Sequence, residues 1–129
     1  MADGDTRSRV ALLLRRAGFG ANPSELERYV KLGVPGTLDE LLHPEKVEED
    51  FDGLLDSLSG HLIDLQNIED VQTWWLYRMV RSRRPLVEKM TLFWHGHFTS
   101  SLDGGVYAMR FMMQQNDLYR RSALGNLRT

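Results

Sequence analysis

Apolar residues recur along this chain at intervals of three and four, the spacing that lines one face of an α-helix, and strand-type alternation of useful length is missing. Thr6 to Ala17 places Val10, Leu13, Leu14 and Ala17 on one face, and Gly18 is expected to supply a left-handed stop. Asn22-Pro23-Ser24-Glu25 offers a capping residue and a first-turn proline, with Ser24 and Glu27 as an alternative capping box. That helix carries Leu26, Tyr29 and Val30 and ends at Gly33. Thr37 with Glu40 repeats the capping-box signal and opens a short helix with Leu38, Leu41 and Leu42, which Pro44 stops.

Residues 45–60 are acidic, with Phe51, Leu54, Leu55 and Leu58 at helical spacing, as in a solvated helix with one apolar stripe or a partly ordered insertion. From Ile68 to Ser82 the apolar positions Val71, Trp74, Trp75, Tyr77, Met79 and Val80 nearly encircle the helix, which predicts burial on most sides. Pro85 starts a helix through about His95, with Leu86, Val87, Met90, Phe93 and Trp94 toward the core. After a loop from Ser100 to Gly105 comes a methionine-rich helix over Val106 to Gln115, and Asn116 is placed to cap a last helix through Ala123. The pattern predicts an all-α, irregular bundle of six or seven helices forming one domain over residues 1–129. Its last six residues follow apolar positions with neither a polar tail nor a helix stop, as expected of the N-terminal fragment of a longer protein. The missing C-terminal part is then the expected partner, and self-association through exposed apolar surface is the alternative.

The 42% hydrophobic and 26% charged composition is that of a globular domain, and no apolar run approaches the roughly 18 residues of a membrane span, so no membrane partner is expected. Met1-Ala2-Asp3-Gly4-Asp5 is acidic and carries no apolar leader, so the chain as it stands reads as cytoplasmic. With no cysteine there is neither a disulfide nor a thiolate metal site. The net charge of −2 hides an asymmetry: residues 1–71 hold 7 Lys+Arg against 15 Asp+Glu, residues 72–129 hold 9 against 3. Either the two halves fold against each other and neutralise their fields, or the second half presents an anion-binding surface. A pI near 6.1 argues against a dedicated nucleic-acid binder.

Candidate chemistry concentrates in Phe93-Trp94-His95-Gly96-His97-Phe98. Two histidines at i and i+2 diverge by about 200° on a continuous helix and share no metal there. If the helix ends at Gly96, His95 and His97 converge, with Asp103 in the following loop as the third ligand of a zinc or iron site. Otherwise both are packed rings whose nitrogens bond backbone carbonyls. Arg78, Arg81, Arg83 and Arg84 cluster around a helix end, either complementing its negative terminus or binding an anion; Arg120 and Arg121 read the same way. Met109, Met112 and Met113 are adaptable core filler. A phosphate-binding glycine loop, a Gly-x-Ser-x-Gly elbow and a His-Glu-x-x-His motif are all missing.

Several blocks together resemble a known family. They are Arg15-Arg16-Ala17-Gly18-Phe19-Gly20-Ala21-Asn22-Pro23, Leu32-Gly33 and Leu41-Leu42-His43-Pro44, Trp75 with Arg78-Met79, the long run from Arg84 to Phe98, and Gln115-Asn116 with Arg120 and Ala123 to Asn126. The chain is similar over nearly its whole length to the front portion of a large bacterial family, domain of unknown function family 1800. One departure is Gly96, where the resemblance implies asparagine in many members. The resemblance implies a mostly helical protein of several hundred residues, often exported, and brings no established activity. The expected function is therefore that of a helical domain without an assignable reaction or cofactor. The alternatives are an enzyme fragment with a divalent metal or acid-base site at His95 and His97, and an anion-binding module at Arg78 to Arg84.

Overall fold

The computed structural model describes residues 2–49, 51, 67–98 and 105–126. They form five α-helices and one short 3-10 turn: α1 (Ala2–Ala17), α2 (Pro23–Leu42), the turn Pro44–Lys46, α3 (Ile68–Arg81), α4 (Pro85–His97) and α5 (Gly105–Arg121). No strand occurs among the described residues, so the all-α class holds. The count is lower than six or seven because the expected break at Gly33 is a kink within the single run Pro23–Leu42 and the expected start at Asn116 lies inside a continuous helix. The acidic segment expected to be helical lies, beyond Phe51, outside the described residues.

The α1–α2 connection shows how small sequence signals set geometry. Asn22 is the cap of α2: its side chain accepts from the Glu25 N–H at 2.9 Å, and the Glu25 carboxylate accepts from the Asn22 N–H at 2.9 Å. The box is therefore Asn22 with Glu25, not Ser24 with Glu27. Gly18 is not the left-handed stop; Gly20 takes the positive φ of 98° instead. Gly18 is needed for closeness, because a Cβ there would lie 2.9 Å from the Pro85 Cβ. That contact seats the end of α1 on the start of α4.

Gly33 breaks the middle of α2, with φ 69° and ψ 178°, a region essentially closed to residues with a Cβ. Two groups hold the broken helix together. Thr37 is fully buried and its hydroxyl donates to the Gly33 carbonyl at 2.7 Å, so it is no cap. Glu40, its expected capping partner, instead accepts two bonds from the Arg28 guanidinium, at 2.8 and 2.9 Å.

An apolar core forms where α1 meets α2: Val10, Leu14 and Tyr29 are buried, with Leu26, Val30 and Val34 packed around them. α4 is the hub of the fold, packing against α1, α2, α3 and α5. It buries Val87, Glu88 and Thr91, one face at i, i+1 and i+4. α3 overturns the expectation drawn from its composition. None of its residues is buried, Trp74 and Trp75 are half-buried, and Leu76 and Val80 are 61% and 72% exposed. Its apolar residues encircle it, but among the described residues its closest helix packing is against α4.

Replacing Gly33 with alanine should destabilise the chain by about 1–3 kcal/mol. The cause would be conformational, since the nearest atom to an added Cβ is 3.8 Å away. Urea denaturation of the Gly33→Ala variant measures it; unchanged stability would mean that α2 does not break there.

Candidate functional site

The second half of the chain is organised by a single acid. Pro85 opens α4, where it gives up no helical hydrogen bond, and Glu88 sits in the first turn, where a negative charge complements the helix dipole. The Glu88 side chain is 1% exposed. Its Oε1 accepts from the Arg78 Nε of α3 at 2.8 Å and from the Arg120 Nε of α5 at 2.7 Å, and its Oε2 from the Arg120 Nη2 at 3.2 Å. Both guanidinium groups also lie over the Trp74 ring, at 5.8 and 5.6 Å from its centroid, and Arg78 lies 4.7 Å over Phe51. The Arg-Glu-Arg cluster thus joins three helices and carries two cations for one anion.

The arginines expected to act together are dispersed to separate tasks. Arg78 is drawn inward to Glu88. The Arg84 guanidinium donates to the Val47 carbonyl at 3.0 and 2.6 Å, tying down the segment after the 3-10 turn. Glu49 completes that tie by accepting from the Ser82 hydroxyl and the Arg83 backbone N–H, each at 2.6 Å. The Arg81 side chain is exposed and lies 5.8 Å over the Tyr77 ring, and the Arg83 side chain is exposed. Arg121 pairs with Asp117 one turn earlier. The ion pairs Arg7–Glu27, Arg28–Glu40 and Lys46–Asp39 lie within the acidic half, and those of Glu88 within the basic half. Each half thus supplies counterions of its own.

α4 continues through His97, so the two histidines point to different surroundings. The His95 ring packs 4.6 Å from Trp75 and meets Tyr119 edge-on at 5.0 Å. Its Nε2 accepts from the Asn116 Nδ2 at 3.1 Å, which leaves the proton on Nδ1. Burial, reinforced by the nearby Arg120 charge, holds the His95 pKa below the usual histidine value. His97 is exposed and stacks at 6.1 Å on Phe93, with Phe98 edge-on at 4.8 Å. Asp103 lies outside the described residues, among which no group of three or more His, Asp or Glu side chains gathers to hold a metal. Gly96 is exposed, with open space where a side chain would begin.

Asn116 was expected to cap a last helix. It instead lies inside a continuous α5 and is 6% exposed. The signal was present in the spacing: Met109, Met112, Met113 and Asn116 fall at i, i+3, i+4 and i+7, one helical face. With Trp75 and His95 they line a cavity of about 150 Å³ between α3, α4 and α5.

The fold and this site define an all-helical domain whose second half is assembled around a buried carboxylate and an aromatic cavity. The chain belongs to the family described as protein of unknown function (DUF1800), whose model matches residues 12–129. No curated protein and no solved structure matched it.

Glu88→Gln should cost about 3–5 kcal/mol in urea denaturation, because it removes the carboxylate that bonds two largely buried guanidinium groups. Replacing Arg78, Glu88 and Arg120 together with apolar residues of similar size should recover most of that loss; equal losses for both variants would show that the charges are not coupled. His95 gives a pH dependence of definite sign. Its folded pKa lies below the unfolded value of about 6.5, so below that pH the unfolded chain binds the proton more readily. Stability should fall as the pH drops from about 6.5 toward 5, and His95→Gln should flatten that slope. Parallel slopes for both proteins would place the proton elsewhere.

Proposed function

We propose that this chain is an interaction module whose role is to pack against another apolar helical surface. The observation that carries this reading is the apolar surface left open on α3 and α5. Leu76 and Val80, at i and i+4, are 61% and 72% exposed on α3. Phe111 and Leu118, at i and i+7, are 68% and 60% exposed on α5. Spacings of four and seven build the ridges that pack into the grooves of a neighbouring helix, and large exposed side chains arranged this way mark association surfaces. A bilayer-spanning role finds no support in the described residues, where no helix is long and apolar enough to cross a membrane.

The reading leaves out a metal at His95, His97 and Asp103, because the two rings have different neighbours on a helix that continues past both. It leaves out a joint anion site at Arg78, Arg81, Arg83 and Arg84, because Arg78 and Arg84 are engaged at separate points of the fold. The partner surface is either a second copy or further helical structure of the same family of sequences, and the first is testable on this chain alone.

Sedimentation velocity over rising protein concentration should show reversible self-association. Val80→Glu combined with Phe111→Glu should give a monomer of unchanged helical circular dichroism. A wild-type chain that remains monomeric at hundreds of micromolar and binds no hydrophobic dye would overturn the proposal.

A further inference from the structure

The cavity between α3, α4 and α5 plays no part in the interaction surface, yet its lining is that of a small binding site. Trp75 and His95 supply rings, Met109, Met112 and Met113 supply thioether chains, and Asn116 stands among them. Such walls are flat and polarisable, and they suit an apolar aromatic occupant. The Gln72 amide also lines the cavity, and two further polar atoms of the lining residues are without partners. The Trp75 Nε1–H is a donor and the Asn116 Oδ1 an acceptor; both are buried, and neither has a hydrogen-bond partner. The Asn116 amide nitrogen is already committed to His95, so the amide is held in place by one end while its oxygen stays unmatched. Buried polar atoms of a folded protein are nearly always paired, and two orphans on residues that line one cavity, one of each kind, call for a molecule that satisfies both.

The geometry points to a binding site for an uncharged aromatic molecule about the size of benzene, carrying an acceptor for the Trp75 N–H and a donor for the Asn116 carbonyl. Size follows from the volume, about 150 Å³, since an apolar cavity of that order holds benzene. A cation is disfavoured by the Arg120 charge beside His95, and an anion by what the walls offer. Arg78 and Arg120 are already bonded to Glu88, and a carboxylate would set its lone pairs against the Asn116 oxygen. A phenolic hydroxyl accepts and donates through one oxygen. Reaching the two orphan atoms requires the wall to yield, because both are buried. The three methionines, unbranched and half-buried on one face of α5, are the part of the wall that moves most easily.

The test uses the full chain with phenol as the probe, followed through the methionine methyl signals by nuclear magnetic resonance. Phenol should shift Met109, Met112 and Met113 saturably, benzene should bind about tenfold more weakly for want of the hydrogen bonds, and benzoate should produce no saturable shift. Trp75→Phe should weaken phenol toward the affinity of benzene, leaving it the bond to Asn116, and leave benzene unaffected. Met112→Phe, which fills the cavity, should abolish both while the helical circular dichroism is kept. Absence of saturable binding, equal affinities of the wild-type chain for phenol and benzene, binding of benzoate as tight as that of phenol, or full phenol affinity in Trp75→Phe would each overturn the site.

Discussion

The geometry of the second half of this protein depends on the Glu88 carboxylate. It is bonded to arginines ten residues before it and thirty-two residues after it, so one acid fixes the relative placement of three helices. Apolar burial alone does not do this for α3, none of whose residues is buried. Directional charge-assisted bonds and the stacking of both guanidinium groups over Trp74 take its place. A buried pair of this kind adds little net stability compared with a well-packed apolar substitute, but it tolerates very few alternative arrangements.

The two halves are held by different physics. α1 and α2 meet through Val10, Leu14 and Tyr29, a small apolar core of the ordinary kind. α3, α4 and α5 meet through charge, rings and the side-chain bond between His95 and Asn116. α4 belongs to both, with Gly18 letting Pro85 approach α1 on one side and Glu88 reaching α3 and α5 on the other. Local opening should therefore begin in different ways in the two halves, with salt acting chiefly on the exposed ion pairs of the first and the titration of His95 on the second.

Much of the architecture was legible in the sequence, because helix starts are local events. Pro85 opens α4, Gly33 breaks α2, and Ile68 begins α3, since each signal acts within a turn of itself. Positions whose role is settled by a distant neighbour were not legible. Gly18 looked like a stop, and its contact is with Pro85 across the fold. Asn116 looked like a cap, and its partner is His95. The arginine cluster looked like one patch because its members are adjacent in sequence, whereas the structure sends Arg78 inward and Arg84 back to Val47. One clue was available: Glu88 is the only acid between residues 72 and 102, in a stretch rich in arginine. A lone carboxylate there had to be somebody's counterion.

The Arg-Glu-Arg cluster also constrains how this sequence can change over time. Loss of Glu88 strands the buried Arg120 charge, and loss of either arginine strips bonds from a carboxylate that is 1% exposed, so no member can drift alone without a loss of stability. An all-apolar replacement could serve the fold equally well, yet every one-step route to it passes through a poorly folded intermediate. Natural proteins sit only slightly above their stability threshold, and such intermediates are removed by selection. The three positions are in this sense locked by their history: lineages should either keep the whole cluster or, after a rare concerted exchange, lose all of it.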